Sequence, residues 1–372
     1  MMGWKFKYYD VQDGPDWSAI EQNCEWFRDM KGVPQDEIWH AEGNVQIHTK
    51  MVCEALISLP EFNSLSEQDK HIMFVGALMH DIEKRSTTTT EFKQGRECII
   101  APKHAERGEK TARTILYKEY DCPYDVREQI CKIVKWHGKP LHEVSDNTMH
   151  KLAWQVKPRF LAMIAKADIL GRTCSDADEH LERIEYFLMQ AEELHILAGP
   201  LRRASKLAEY EFLQNGNTYY EPFDESKFEV MMMSAIAGSG KDTYIQNYLY
   251  EWNVVSLDDI RKELKVKPTD KSGNGRVIQL AKERAKEFMR KKQNFVWNAT
   301  NITAQMRMQL IELFESYGGK VTIVYVEVPY KTLVKQNNSR EDVVPQAIID
   351  KMVDKLEPPT REEAYNVITF YT

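Results

Sequence analysis

The sequence has 372 residues, of which 42% are hydrophobic and 29% charged, and its formal net charge is −7. This composition is typical of a globular protein and excludes a disordered chain and a collagen-like fibre. The longest apolar run, residues 230–237, falls far short of the roughly 20 residues that span a bilayer, which excludes a membrane-spanning protein.

The length favours two domains, and the charge is divided unevenly along the chain. Residues 1–225 carry 28 Lys and Arg against 38 Asp and Glu, whereas residues 226–372 carry 22 against 19. Neither part has the strongly basic stripe of a duplex-binding protein, so a nucleic-acid substrate is expected to be held only at its ends. The N-terminus lacks a secretory signal and the six cysteines show no CxxC spacing, which predicts a cytoplasmic protein with reduced thiols and no membrane partner.

The first two hundred residues are predicted to be helical. Apolar residues recur at helical spacing, and this predicts helices over 45–59, 69–79, 105–116, 126–136, 158–169 and 178–197. The polar, irregular stretch 87–102, with four consecutive threonines, predicts a loop. Residues 214–223 are polar and rich in turn formers, and we place the domain boundary there, with a first domain over 1–222 and a second over 226–372.

The second domain alternates short apolar runs with helical patterns. Strands are predicted over 228–236, 254–257, 295–298, 321–328 and 367–371, and helices over 243–250, 277–291, 302–317 and 345–356. Such alternation is typical of a parallel sheet covered by helices on both faces. The expected fold class is therefore an all-α domain followed by an α/β domain.

An ordered set of histidines and aspartates falls about one per helical segment of the first domain, and consists of His48, His80, Asp81, His104, His137 and Asp168. Imidazole and carboxylate together suit a divalent transition metal such as Mn, Fe, Co, Ni or Zn. Such an ion can lower the pKa of a water molecule and bind a phosphoryl oxygen. Adjacent residues point about 100° apart on a helix, so His80 and Asp81 reach one metal only at a bend or by bridging neighbouring ligands. His40 and Glu42 belong either to the same pocket or to a surface loop.

The set and its sequence contexts over residues 40–175 resemble the HD phosphohydrolase superfamily, whose signature is H…HD…H…H…D on a helical core. The resemblance implies a phosphohydrolase with a first metal bound by His48, His80, Asp81 and Asp168. It also implies that His104 and His137 serve a second metal or the substrate phosphate. Lys84 and Arg172 would then neutralise phosphate oxygens. One departure is Glu83, which stands where many members of the superfamily have glycine.

A phosphate-binding loop follows the predicted strand at 228–236. Glycines, a lysine and a following helix form an anion cradle in which backbone N–H groups face phosphates and the lysine reaches the β and γ oxygens. The residues predicted to bind ATP or another NTP with Mg²⁺ are Gly238, Ser239, Gly240, Lys241, Asp242 and Thr243. Asp242 replaces the usual Ser or Thr, and either Asp242 or Thr243 is expected at the metal. Ala235 replaces the first glycine of the consensus.

A second polar group follows the next predicted strand, where ligands bind in open α/β sheets. Asp258 is placed to accept a proton from an attacking hydroxyl, and Arg261 to hold a phosphate of the acceptor. The alternative is an acidic pair, Asp258 and Asp259, at a helix start with an arginine on the surface.

This part of the chain resembles the kinase domain of the 5′-polynucleotide kinases, which share G-S-G-K, D-D-x-R and a lid motif R-N-x-x-R followed closely by V-P. The resemblance implies that Asp258 is the general base, that Arg261 binds the acceptor phosphate and that Arg340 covers the transferring phosphoryl group. Gln336 stands where the first lid arginine is expected, and Asn298 replaces the carboxylate of the family's D-x-T-N turn. Arg307 either contacts phosphate or lies on a solvated helix face.

The pairing of the two resemblances is similar to the bifunctional RNA end-healing enzymes that join an HD phosphohydrolase to a polynucleotide kinase. It implies removal of a 2′,3′-cyclic phosphate or 2′-phosphate and phosphorylation of a 5′-OH, on RNA or DNA ends that a separate ligase then joins. One alternative is an HD nucleotidase fused to a nucleoside or nucleotide kinase, and another is a nucleotide-sensing regulator. The sequence is compatible with a homo-oligomer.

Overall fold

The structure, a computed structural model, describes residues 3–93, 95–173, 176–216, 221–267 and 270–371. The chain divides into two compact units, Met1–Leu201 and Arg202–Thr372. In the described ranges, no helix has both the length and the apolar composition needed to cross a membrane. The predicted fold class, a helical region followed by a parallel α/β sheet, is confirmed.

The first unit is mainly helical. Side-chain caps begin several helices: the Asn44 carboxamide accepts from the Ile47 N–H, and the Ser66 hydroxyl accepts from the Asp69 N–H. Leu56, Phe74 and Phe160 lie in one buried core. The helices are α1 (Trp17–Asn23), α2 (Glu25–Arg28), α3 (Val45–Ser58), α4 (Pro60–Asn63), α5 (Glu67–Met79), α6 (Lys84–Thr87), α7 (His104–Glu119), α8 (Tyr124–Trp136), α9 (Asp146–Ala153), α10 (Pro158–Leu170) and α11 (Ala177–Glu193), with a short 3₁₀ turn at Lys139–Leu141.

The prediction of a loop over residues 87–102 is wrong, because this stretch forms an antiparallel hairpin of two strands. The strands of the first unit are β1 (Tyr9–Asp10), β2 (Gly14–Pro15), β3 (Thr89–Lys93) and β4 (Arg96–Ile100), and β3 pairs with β4 from Thr89↔Ile100 to Lys93↔Arg96. Every residue of β3 is exposed, so the strand shows no apolar alternation. Its β-branched threonines favour an extended backbone without needing a buried face.

Helices α3 and α10 contact each other closely at Gly171, the residue that ends α10. A Cβ atom at Gly171 would lie 2.6 Å from the Val52 nitrogen and 2.9 Å from the Met51 carbonyl carbon. Only a residue without a side chain allows this backbone approach. The contact brings the helix that carries His48 next to the helix that carries Asp168.

The second unit contains a five-stranded parallel sheet with the order β6-β7-β5-β8-β9. Its strands are β5 (Phe228–Ala235), β6 (Asn253–Ser256), β7 (Phe295–Asn298), β8 (Gly319–Glu327) and β9 (Asn366–Tyr371), and its helices are α12 (Lys206–Asn215), α13 (Lys241–Tyr248), α14 (Leu257–Glu263), α15 (Lys271–Arg290), α16 (Ala304–Glu315), α17 (Tyr330–Asn338) and α18 (Gln346–Asp354). The central strand β5 is buried along most of its length, as expected for a strand covered on both faces.

The division after Leu201 lies upstream of the predicted domain boundary near residue 222. Helix α12 belongs to the second unit, since Tyr210 donates to Glu315 and Arg361 pairs with Glu209. Residues 217–220 of the predicted linker lie outside the described residues. The boundary between the functional domains stays a prediction.

Candidate functional sites

The six predicted metal-site residues of the first unit come together from several helices. His48 lies in the first turn of α3, His104 begins α7, and Asp168 lies in the last turn of α10. His80 and His137 are the residues that end α5 and α8, with Asp81 directly after His80. The bend that the His80–Asp81 pair needs is therefore the end of a helix.

The histidine rings of the cluster are oriented by hydrogen bonds from Nδ1. In His80, His104 and His137 this atom lies 2.6, 2.7 and 2.8 Å from the backbone carbonyl oxygen three residues earlier. A carbonyl oxygen only accepts, so Nδ1 must carry a proton, and in the neutral ring it is then Nε2 that has the lone pair. This is the arrangement in which a histidine binds a metal through Nε2.

The ligand atoms form two groups joined by Asp81. His48, His80 and Asp168 present donor atoms within 4.8 Å of one another, and so do Asp81, His104 and His137. The Oδ2 of Asp81 lies 3.2 Å from the His80 Nε2, and its Oδ1 lies 3.3 Å from the His104 Nε2. One carboxylate thus faces both groups, and the predicted binding of the first metal by Asp81 stays a prediction.

The donor set fits a divalent cation. Nε2 of His48 lies 3.1 Å from Oδ1 of Asp168, and Nε2 of His80 lies 3.2 Å from Oδ2 of Asp81, but these contacts do not have hydrogen-bond geometry. The buried Nε2 atoms of both histidines and the Oδ1 atoms of Asp81 and Asp168 therefore have no hydrogen-bond partner within the described ranges. Burying such atoms without a partner costs free energy, and a bound cation would satisfy all of them. Burial opposes ionisation of Asp81, but its interactions with His80 and Lys84 outweigh it and hold the pKa of this carboxyl well below its usual range. Burial and the neighbouring histidines lower the pKa of His137 to about 3, so this ring is neutral, as a ligand must be.

The two cations predicted to contact phosphate pair with carboxylates of the cluster. Lys84 Nζ lies 2.7 Å from Asp81 Oδ2 and also donates to Gln35. Arg172 donates to Asp168 Oδ2, one turn earlier on the chain. The predicted cations therefore lie beside the ligand atoms.

Sequence reasoning left Glu42 undecided, and the structure places it behind the cluster. Its Oε1 lies 2.9 Å from the Nδ1 atoms of both His40 and His48, and its Oε2 accepts from the Thr173 N–H. Burial opposes ionisation of Glu42, yet these contacts hold its pKa well below the usual range. The H-x-E spacing six residues before His48 was the available signal.

The phosphate-binding loop of the second unit joins β5 to α13. Gly238 and Gly240 have φ values of +93° and +90°, which favour glycine, and Gly240 is the residue that begins α13. Ser239 and Lys241 are buried, whereas Asp242 and Thr243 are exposed in the first turn of the helix. The free N–H groups of this turn and the helix dipole favour an anion at the loop.

Lys241 lies at the centre of a small network of polar side chains. Its Nζ is 3.0 Å from both oxygens of Asp242 and 3.5 Å from Oδ2 of Asp258. Asn298, at the end of β7, donates its amide to Oδ1 of Asp242 at 2.8 Å. Burial raises the pKa of Asp242, but Lys241 and the hydrogen bond from Asn298 outweigh it, so the pKa lies below its ordinary value.

Asp258 and Arg261 pair with each other in the first turns of α14. Ser256 caps this helix through the Asp259 N–H, which places Asp258 at the carboxyl end of β6. Arg261 donates Nη1 to Asp258, and its Nε donates to Asn274 at 2.8 Å. Asn274 is a second residue that sequence reasoning missed, because it lies thirteen positions from Arg261 in a helix with no motif of its own.

The structure also places the remaining predicted residues of this unit. Arg340 follows α17, close enough to lower the pKa of Asp242. Asn337, buried beside Gly238, exchanges two hydrogen bonds with the backbone of Val344 and so shapes the segment that carries Arg340.

Arg307 is neither a phosphate contact nor a solvated residue, and both interpretations of it are wrong. It is fully buried and makes a bidentate ion pair with Glu363, with Nε–Oε2 at 2.6 Å and Nη2–Oε1 at 2.9 Å. Its Nη1 donates to the carbonyl of Asn301, whose own amide donates to the carbonyl of Met233 in β5. This arginine therefore stabilises the turn after β7.

Comparison with known proteins bears on the second unit. Residues 230–359 match a family model described as an AAA domain. Together with the strand, loop and helix described above, this match supports a P-loop nucleotide-binding domain in the C-terminal part of the chain.

Two solved structures are similar to this chain at low identity. A putative kinase from Chloroflexus aurantiacus is 11% identical, with a TM-score of 0.35, and the match covers 40% of this chain and 87% of that one. A gluconokinase from Sinorhizobium meliloti is 15% identical, with a TM-score of 0.30, and the match covers 40% of this chain and 84% of that one. Because both TM-scores lie below 0.5, neither likeness bears on the fold or the substrate.

Proposed function

We propose that the protein heals nucleic-acid ends, preferably of RNA. The first unit would remove a 2′,3′-cyclic phosphate or 2′-phosphate, and the second would transfer phosphate from an NTP to a 5′-OH. The observation that carries the proposal is that one chain holds both a histidine–aspartate cluster suited to a cation and a phosphate loop with Asp258 beside its lysine. A chain that both removes and adds phosphate suits a nucleic-acid substrate that needs a different reaction at each of its two ends.

In the first unit, the cluster would hold one or two divalent ions, with Asp81 facing both positions. When bound, such an ion lowers the pKa of water and polarises a phosphoryl oxygen. The role of the histidines is to keep Nε2 deprotonated through the hydrogen bonds at Nδ1. Lys84 and Arg172 lie beside Asp81 and Asp168 and would donate to phosphate oxygens of the substrate.

In the second unit, the loop N–H groups and Lys241 would bind the β and γ phosphates of the nucleotide. Asp258 would accept the proton of the 5′-OH as that oxygen forms its bond to the γ-phosphorus, while the bond from this phosphorus to the β–γ bridging oxygen breaks and the nucleoside diphosphate leaves. Arg261, held by Asn274, would bind a phosphate of the acceptor strand. Arg340 would lie over the transferring phosphoryl group.

An RNA oligonucleotide with a 5′-OH and a 2′,3′-cyclic phosphate tests both activities in one reaction with γ-labelled ATP, Mg²⁺ and a transition metal. We expect label at the 5′ end and loss of the cyclic phosphate, with Lys241→Met removing only the first and His80→Ala only the second. Transfer to mononucleosides but not to the oligonucleotide would replace the proposal with a nucleotidase fused to a small-molecule kinase. Binding of ATP without transfer to any acceptor would indicate a nucleotide sensor.

A further inference from the structure

The metal side of the phosphate loop has an unusual distribution of charge. P-loop enzymes hold the Mg²⁺ of their nucleotide with a Ser or Thr hydroxyl that follows the loop lysine and with a carboxylate on a strand beside the loop. Here the residue after Lys241 is Asp242, and the strand next to β5 ends in Asn298. The negative charge and the neutral group have exchanged positions.

The two side chains are in direct contact, so the exchange concerns one pair. Nδ2 of Asn298 donates to Oδ1 of Asp242 at 2.8 Å. A carboxylate only accepts, so the amide must present its NH₂ group to Asp242. Its Oδ1 is buried and has no hydrogen-bond partner among the described residues. Asn298 is only 7% exposed, whereas the side chain of Asp242 is 55% exposed and can be reached by a hydrated ion.

The carboxylates near the ends of the strands all have partners, and those of Asp242 are the loop residue Lys241, 3.0 Å from both of its oxygens, and Asn298. Asp258 accepts from Arg261, which belongs to the acceptor side of the proposed reaction. Glu327, at the end of β8, is buried and accepts from the Tyr325 hydroxyl. Of these three acids, Asp242 is the one that the residue at the end of β7 contacts.

We infer that Asp242 supplies the carboxylate for the Mg²⁺ of the nucleotide from the first turn of α13, while Asn298 orients that carboxylate by donating its amide N–H to it. This inference rests on the proposed nucleotide binding of the second unit. Mg²⁺ is bound by one or two protein carboxylates and retains several waters, so a single exposed carboxylate beside the loop suits it. The ligand of this site is then an NTP, bound as its Mg²⁺ complex.

The test moves the carboxylate from position 242 back to position 298, at the end of β7. We compare Asp242→Asn, the double variant Asp242→Ser with Asn298→Asp, and Asp259→Asn as a control for an exposed acid on a neighbouring helix. The readouts are the affinity for a fluorescent ATP analogue in EDTA and in Mg²⁺, and the binding of Mn²⁺ to the nucleotide complex followed by electron paramagnetic resonance. Neither readout requires catalysis.

We expect Asp242→Asn to weaken Mn²⁺ binding in the complex about 10-fold or more, on the scale seen when groups around a metal are removed, with affinity in EDTA unchanged. The double variant should recover Mn²⁺ binding, and this also decides the matter if the single substitution impairs folding. Wild-type metal binding in Asp242→Asn, or no recovery in the double variant, would overturn the inference. So would loss of metal binding in Asp258→Asn but not in Asp242→Asn.

Failure of the proposed function gives a different result. If the wild-type protein binds no ATP analogue in either Mg²⁺ or EDTA, the nucleotide site itself is wrong and the inference falls with it. If it binds the analogue with a Mg²⁺ dependence that Asp242→Asn leaves unchanged, only the inference is wrong.

Discussion

Replacing Asp258 with Asn tests the proposed kinase chemistry most directly. The substitution keeps the size of the side chain and one oxygen but removes the group that would accept the proton. Lys241 keeps its contacts at 3.0 Å with both oxygens of Asp242, and Arg261 keeps its bond to Asn274. Affinity for ATP should therefore stay close to that of the wild type, and the loss should appear in the chemical step.

The size of that loss separates a base from a surface acid. General acid–base catalysis typically contributes about 10²–10⁴-fold to the rate, or roughly 2.7–5.4 kcal/mol in the activation free energy. Asp259 is the matched control, because it is the next residue and its backbone N–H bonds to Ser256. If Asp259 interacts only with the helix dipole, Asp259→Asn should lower the free energy of unfolding by roughly 0.3–1 kcal/mol and leave the rate of phosphate transfer unchanged.

The assay is single-turnover transfer from γ-labelled ATP to a 5′-OH oligonucleotide, quenched on the millisecond scale at saturating ATP. Binding of a fluorescent ATP analogue, measured on the same preparations, separates chemistry from nucleotide affinity. Similar and mild losses in both variants would refute the role of Asp258. The pair would then be an exchangeable acidic start of α14.

His80→Ala and Asp81→Ala should each lower the metal content and abolish phosphoesterase activity, because each removes a donor atom of the cluster in the first unit. Kinase activity should remain, because it belongs to the second unit. Loss of both activities in protein with a native circular dichroism spectrum would contradict separate sites. Glu42→Gln should weaken metal affinity about 10–100-fold, because it removes the charge that faces Nδ1 of His48. Chelator competition measures this effect, with the exposed Glu37→Gln as control, and equal affinities would show that Glu42 is only structural. Glu128→Gln should lower the free energy of unfolding by about 3 kcal/mol at neutral pH, because it removes the carboxylate that the buried Arg113 and Arg127 share, while Arg113 keeps its ion pair with Glu109. Burial opposes ionisation of Glu128, but Arg113 and Arg127 outweigh it and lower the pKa of Glu128 from 4.5 to about 2. The stabilisation by Glu128 is therefore present above pH 4.5 and is lost as the pH falls towards 2. The gap between the urea unfolding curves of wild type and variant should close over that range, and a constant gap would contradict this account.

The long helices and the buried strands were predictable because their apolar residues follow the period of the element. Two of the short helices were not predicted: α14 and α17 are 7 and 9 residues long, and much of their surface is polar. The hairpin of β3 and β4 escaped for a related reason, since a fully exposed strand carries no alternation of apolar and polar residues. Periodicity reports burial, so elements without a buried face leave little trace in it.

The site residues differ in the same way. Order along the chain was enough to propose the histidine–aspartate set, because its members, apart from the adjacent His80 and Asp81, lie on or at the ends of different helices and those helices share one core. The contact between Asp242 and Asn298 spans 56 positions and two motifs, so each looked like a separate departure from a consensus. Only the pairing of β5 with β7 shows that the two departures occur in one place.

The close contact at Gly171 has a consequence for how the first site can change. Val52, whose backbone meets Gly171, lies one helical turn after His48, and Asp168 lies three residues before Gly171. The separation of these two ligands is therefore limited by backbone atoms, which cannot adopt another rotamer to make room. Any side chain at position 171 would force the helices apart and change the separation of His48 and Asp168 in a single large step. We expect mutations that alter ion preference to replace the ligands themselves, since the scaffold offers no gradual adjustment of their spacing.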